Sequence, residues 1–304
     1  MKHNVISFSG GRTSAYLVYL MEEMRKRGEI DNVHYVFMDT GAEHPKTYEF
    51  IKRCVEYFKI ELVCIKGNFN QPVGEGHTYN LVSIDEVKHD MENGPYAQLM
   101  RKYGLPTVSS PWCTSRMKQD TYDKYCNDMF GKGNYVTWLG MRADEPKRIK
   151  LPNNRGIRYL AEISDAEKID ILRFWDSMPF NLEIDEHLGN CVFCFKKTHG
   201  KVALAARDEP ELLDQWKRAI SNGSDRMNQP MEKTTGGLFP EKKIRTIPKG
   251  VMYRNHKTID DVIHMFKDFD RDEIQDTLKS MKRYDTGSCS ESCEAFGDLF
   301  DGLE

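Results

Sequence analysis

Two stretches of the chain carry residue types whose spacing can do chemistry. The first is Ser7-Phe8-Ser9-Gly10-Gly11-Arg12-Thr13-Ser14. Adjacent glycines let a backbone turn tightly and bring its N–H groups close to a ligand. A helix starting behind them would add unpaired N–H donors and a partial positive charge, while the Ser and Thr hydroxyls donate from the sides. Ser7, Ser9, Gly10, Gly11, Arg12, Thr13 and Ser14 together make an anion pocket sized for phosphate. No Gly-Lys-Ser/Thr closes it, so it is not a Walker loop. The plain alternative is a strand–helix turn capped by Ser14. The second stretch is Cys191-Val192-Phe193-Cys194, which has a distant companion in Cys289 and Cys293. Four thiolates in two close pairs could hold Zn²⁺ tetrahedrally or a [4Fe–4S] cluster. The alternative is a pair of buried thiols in a tight turn and an incidental tail.

The elements around these stretches read as an α/β fold. Residues 4–8 form a short apolar strand, and a helical stripe of Leu17, Leu20, Met21 and Met24 follows from about Thr13. A second strand over 33–38 runs into Asp39-Thr40-Gly41. Pro45 suits a first helical turn, with Phe50, Ile51, Cys54, Val55 and Phe58 at helical spacing, and residues 61–65 supply a third strand. Strand–helix–strand–helix–strand implies right-handed crossovers and a parallel sheet. Ligands of such sheets sit at the carboxyl ends of the strands, which places the 9–14 loop and the Asp39 turn side by side. Residues 67–111 read as an insertion over the sheet edge and 135–140 as a strand. Helices are expected at 165–177, 208–221 and about 259–282, with a looser stretch at 222–258. The division is a nucleotide-binding α/β domain at 1–180 and a mainly helical, cysteine-bearing region at 181–304 packed on it.

Four motifs in order give this frame a family. Ser7 to Tyr16 resembles the PP-loop of the adenine nucleotide alpha-hydrolase superfamily. Phe37-Met38-Asp39-Thr40-Gly41-Ala42-Glu43-His44-Pro45-Lys46-Thr47-Tyr48 is similar to the second motif of the phosphoadenosine phosphosulfate (PAPS) reductase family. Trp112-Cys113-Thr114-Ser115-Arg116-Met117-Lys118 resembles its cysteine–basic segment. Trp138-Leu139-Gly140-Met141-Arg142-Ala143-Asp144-Glu145-Pro146-Lys147-Arg148 resembles its glycine–arginine turn. The resemblance implies that Asp39, with Thr40 and Gly41, meets a ribose hydroxyl or Mg²⁺, the alternative being simple turn formation. It implies that Arg116, Lys118, Gly140, Arg142 and Arg148 surround phosphate or sulfate oxygens. Asp39, Cys113 and Arg142 are then the catalytic candidates. In the iron–sulfur class of adenylylsulfate reductases a Cys-Cys pair precedes a Cys-x-x-Cys pair. Cys113 matches the second residue of that upstream pair, Trp112 fills the first position, and a fourth ligand would come from Cys289 or Cys293.

Three functions remain in order. ATP-dependent adenylation of an acceptor, with pyrophosphate released into the loop and sulfur then transferred, ranks first. Reduction of PAPS or adenylylsulfate to sulfite ranks second, because the loop keeps the Ser-Gly-Gly-x-x-Ser form of ATP users and no Glu-Cys-Gly-x-His motif appears in the tail. A binding-only module ranks third. A sulfur-donor or reductant protein would complete either reaction. The acceptor is open between small molecules and nucleic acid: residues 142–158 hold six Lys or Arg against two acids, and Lys196, Lys197 and Lys201 form a second basic cluster, yet the net charge is −3. No apolar stretch approaches the roughly 20 residues of a membrane span, and no leader is read at the amino terminus. The expectation is a cytoplasmic protein without a membrane partner, and its eight cysteines read as thiols or ligands rather than a disulfide framework.

Overall fold

The protein is described by a computed structural model covering residues 2–72, 74–146, 148–149, 156–227 and 249–280. Its first half alternates strand and helix: β1 (His3–Ser7), α1 (Arg12–Lys26), β2 (Val33–Asp39), α2 (Pro45–Phe58) and β3 (Leu62–Asn68). Next come β4 (Thr78–Val82), α3 (Pro95–Tyr103), a π-helical segment at Cys113–Asp120, α4 (Thr121–Phe130), β5 (Tyr135–Leu139) and β6 (Ile157–Tyr159). The remaining described elements are helices: α5 (Lys168–Ser177), α6 (His199–Asp208), α7 (Pro210–Met227), α8 (Ile259–Met265) and α9 (Arg271–Ser280), with short 3₁₀ turns between them.

The sheet runs β4-β3-β2-β1-β5-β6. Every pair is parallel except β3–β4, which is antiparallel. The chain therefore winds outward from β1 in both directions, and the crevice between β1 and β5 is the topological switch point where such sheets bind ligands. Both faces are covered. Ile6 and Phe37 join Leu17, Val18, Ile51 and Trp175 of α1, α2 and α5 on one side. Val5, Val36 and Ile65 meet Tyr122, Tyr125 and Cys126 of α4 on the other. Neighbouring residues of one strand thus serve opposite cores, as the two-residue period of a strand requires.

A third core sits over the carboxyl edge of the sheet. It draws Ala42, Tyr96, Leu99 and Trp112 from the first half of the chain and Cys191 to Phe195, Val202, Trp216 and Val262 from the second. The segment expected as an insertion contributes β4 to the sheet edge and α3 to this core. The helix expected at 259–282 is two: α8 ends near Phe266, whose carbonyl accepts from Arg207 Nη2 at 2.7 Å, and α9 restarts at Arg271. Cys289 and Cys293 lie outside the described residues. Among the described residues no helix is long and apolar enough to cross a membrane.

Candidate functional site

The loop after β1 is braced from within by hydroxyls. Ser14 Oγ accepts from the Ser9 N–H at 3.2 Å and the Ser9 hydroxyl at 2.9 Å, and donates to the Gly11 carbonyl at 2.9 Å. The two glycines differ. Gly10 has φ +79°, and a Cβ there would stand 2.7 Å from Ile51 Cδ1 and 2.9 Å from Thr47 Cγ2. Gly11 has an ordinary φ of −87°, and a Cβ on it would meet only Ser9 Oγ at 3.8 Å. Gly11 is also the N-cap of α1 and has no side-chain cap, so the helix end presents its N–H groups at an open position. Ser7 is buried at the end of β1.

The turn after β5 backs onto this loop. A Cβ on Gly140 would lie 2.9 Å from Ser14 Cα and 3.0 Å from Ser14 N. Arg142 is 1% exposed. It forks onto Asp144 at 2.8 and 3.2 Å, and its Nη1 reaches Thr13 Oγ1 at 3.4 Å. Arg148 is paired with Glu145. Arg12 turns away from the loop, donating to Asn181 Oδ1 at 2.8 Å and to the Leu182 carbonyl. Burial lowers its pKa, against the pull of Asp176 and Asp185.

Asp39 ends β2 in a closed pocket. Its Oδ1 accepts from the Gly41 N–H at 2.9 Å and the Tyr48 hydroxyl at 3.0 Å. Lys66 Nζ stands 3.1 Å from Oδ2, off the hydrogen-bonding direction, so that oxygen has charge neutralisation without a formal bond. The single Tyr48 proton also faces Glu43 Oε2 at 3.1 Å, and the Thr40 hydroxyl donates to the same oxygen at 2.5 Å. Burial first, and the Glu43 charge second, push the Asp39 carboxyl up to about 6, with Lys66 and the Gly41 N–H opposing. Gly41 holds φ +76° and packs on the Asp90 carbonyl.

The turn after Asp39 is stitched to the Cys-x-x-Cys loop. Glu43 and Cys191 form an antiparallel bridge, and the Val192 N–H donates to the Ala42 carbonyl at 3.1 Å. Cys113, Cys191 and Cys194 line one small cleft with Tyr96, Thr114, Met117, Lys118 and Lys196. Burial raises the Tyr96 phenol, and all three thiols add to the shift. Arg116, on the same π-helical segment, is exposed and stacks over Tyr103 at 4.2 Å. By contrast Cys54, Cys64 and Cys126 are buried in the sheet cores, where burial pushes the Cys64 and Cys126 thiols up to about 12.

One expectation changes here. Lys197 and Lys201 are not a surface patch for a nucleic-acid backbone: Lys197 is 0% exposed, and Lys201 at 3% exposure holds Glu186 at 2.9 Å. Asp185, His187 and Asp208 are close enough to hold a metal ion. However, Arg271 already sits on both carboxylates, at 3.2 Å from Asp185 and 2.8 Å from Asp208, and fills the place a cation would take.

The model of the phosphoadenosine phosphosulfate reductase domain matches residues 3–153. The uncharacterised nin region protein ORF290 of Escherichia phage lambda is 44% identical over 299 residues, covering 98% of this chain and 97% of that one. The chain belongs to the phosphoadenosine phosphosulfate reductase domain family. It is thereby a PP-loop protein of the adenine nucleotide alpha-hydrolase superfamily, and adenine-nucleotide binding is implied by membership. The uncharacterised protein MJ0973 of Methanocaldococcus jannaschii is 25% identical over 221 residues, which are 69% of this chain and 46% of that protein.

The PP-loop fold brings Ser9, Gly10, Gly11, Thr13, Ser14, Gly140 and Arg142 together at the switch point. Cys113, Cys191 and Cys194 meet at the second locus, beside Asp39, Thr40 and Gly41. Sequence reasoning gave no role to Glu43, Tyr48 and Lys66. Glu43 and Tyr48 lie inside the second motif, which was a usable signal. Lys66 could be found only from the strand register that sets it opposite Asp39.

Proposed function

We propose that this PP-loop protein binds ATP and adenylates an acceptor, with pyrophosphate leaving into the loop between Ser9 and Ser14. One observation carries the reading. The loop is held open by its own hydroxyl bonds, with the unobstructed side of Gly11 at the uncapped end of α1. Free N–H groups and the helix dipole at that point stabilise the charge that accumulates on the leaving pyrophosphate. An acceptor oxygen attacks the α-phosphorus, the bond to the bridging oxygen breaks, and AMP remains on the acceptor. Mg²⁺ enters on the triphosphate. Arg142, locked by Asp144 and touching Thr13, holds the opposite wall of the crevice; Arg148, Arg116 and Lys118 are assigned to nucleotide or acceptor phosphates. Asp39 shapes the neighbouring turn through Gly41 and Tyr48. Residues 1–180 carry the nucleotide in this reading, and residues 181–304 form the cysteine-bearing region packed on them.

The donor set at the cleft suits a soft metal. Cys113, Cys191 and Cys194, with Cys289 or Cys293, are the residues that would hold a [4Fe–4S] cluster, or Zn²⁺ in second place. When bound, the cluster would supply one-electron chemistry or a site for sulfur. A second reading, sulfonucleotide reduction, is favoured by the bridge between Glu43 and Cys191, which sets thiols next to the nucleotide motif. A module that only binds nucleotide comes third. The test supplies ATP and PAPS separately to the anaerobic protein and measures pyrophosphate and sulfite. Pyrophosphate from ATP in the presence of acceptor extracts is expected. Sulfite from PAPS, with ATP untouched, would replace the first reading by the second, and binding without either product would leave the third.

A further inference from the structure

One buried group has no part in the site described so far. Lys197 is 0% exposed. Its ammonium donates to the His187 carbonyl at 2.6 Å and the Val192 carbonyl at 2.9 Å. Among the described residues it has no carboxylate partner. The two other cations exposed by less than 4% are treated differently, since Arg142 sits on Asp144 and Lys201 on Glu186. Two carbonyl dipoles satisfy two of three ammonium protons and leave the charge itself uncompensated. A buried charge in that state is strongly unfavourable.

The position of Lys197 points to what compensates it. The Val192 carbonyl that it grips lies between Cys191 and Cys194, and the Lys197 N–H donates to the Cys194 carbonyl at 3.0 Å. The loop that Lys197 closes therefore presents two thiols. Among the described residues, the cleft they line has two more lysines, Lys118 and Lys196, and no carboxylate. A dication or iron–sulfur core held by four thiolates is a net dianion.

We infer that Lys197 is the built-in counter-charge of an anionic metal–thiolate centre at Cys191 and Cys194. This rests on the reading that those cysteines ligate a metal, and it is independent of which nucleotide the PP-loop takes. It has an unusual corollary. In the metal-free protein the Lys197 charge opposes folding, and in the loaded protein it holds the metal. A lysine that merely clamps the loop would favour folding in both states.

The test uses the full chain, reduced, anaerobic and stripped with a chelator, and Co²⁺ as the probe, because thiolate-to-cobalt charge transfer reports cysteine ligation. Lys197→Met removes charge and hydrogen bonds; Lys197→Gln removes the charge and keeps donors for the carbonyls. Both variants are expected to bind Co²⁺ about tenfold more weakly or worse, while their metal-free melting temperatures equal or exceed that of the wild type. Three results would overturn the inference: no thiolate band in the wild type, wild-type Co²⁺ affinity in Lys197→Gln, or a lowered metal-free melting temperature in both variants with Co²⁺ affinity unchanged. None of them bears on pyrophosphate release, so the ATP reading stands or falls separately.

Discussion

Replacing Asp39 by Asn should make the protein more stable at pH 8 and leave its stability unchanged at pH 4. The carboxyl is 2% exposed and is raised from 3.8 to about 6, chiefly by burial. A folded-state pKa above the unfolded one means that the folded chain holds the extra proton between those values. Stability is therefore full below about pH 4, falls as pH rises to about 6, and stays lower above it. Two pH units correspond to roughly 3 kcal/mol. Asn keeps the Oδ1 acceptor for the Gly41 N–H and the Tyr48 hydroxyl, but its amide must face Lys66, 3.1 Å from Oδ2. Lys66 is partly exposed and keeps the Glu86 carbonyl at 2.8 Å, so it can swing aside at modest cost. The net gain at pH 8 is then about 1–2 kcal/mol, a rise of a few degrees in melting temperature. Urea melts of both proteins between pH 4 and pH 8 measure it. A variant less stable than wild type at pH 8, with the deficit shrinking toward pH 4, would refute the reasoning, because the ionised carboxylate would then be holding the turn. Turnover is expected to fall in the same variant, since the turn beside the nucleotide loses its charge.

Four further perturbations follow from named contacts. Gly11→Val should abolish ATP binding by calorimetry with a near-normal melt, since its side chain enters open space at the helix end, and unchanged affinity would remove the phosphate-cradle assignment. Gly10→Val should instead cost about 2 kcal/mol or more of stability, because φ is +79° and Ile51 and Thr47 occupy the Cβ position. Gly140→Ala should weaken nucleotide binding about tenfold and lower urea stability by about 1–3 kcal/mol, because its Cβ would stand 2.9 Å from the Ser14 backbone and force the loop to shift; wild-type affinity would show that the β5 turn does not support the loop. Anaerobically purified protein should be brown, with about four irons per chain, and Cys191→Ser should bleach it and lower the melting temperature. A colourless protein with one zinc would assign a structural site, and one that takes up neither metal would return the cysteines to plain thiols.

The parallel core was legible because its signals are local. Ile6 and Phe8 alternate with polar or opposite-facing neighbours, and Leu17, Met21, Ile51 and Cys54 recur at helical spacing, so strand, loop and helix follow from periods that a linear reading can count. The PP-loop was legible for the same reason, since glycines and hydroxyls within eight residues build their own cradle. β4, α3 and α4 were not. Each is short, with an apolar stripe of only a few residues, and becomes stable by packing on the sheet edge or the third core rather than by its own propensity.

From the sequence alone came the strand–loop–helix that can cradle phosphate, the second motif at Asp39 and the candidate thiols, because these depend on residues near one another along the chain. Tertiary structure alone decided what surrounds them. It enclosed Asp39 between Tyr48 and Lys66, turned Arg12 toward Asn181, and buried Lys197 beneath the cysteine loop. It also set Cys113 beside Cys191 and Cys194 across the third core, a grouping that the sequence reached only through the family resemblance. Burial and charge pairing depend on distances through space, and strand register and helix packing set those distances between residues that the sequence keeps far apart.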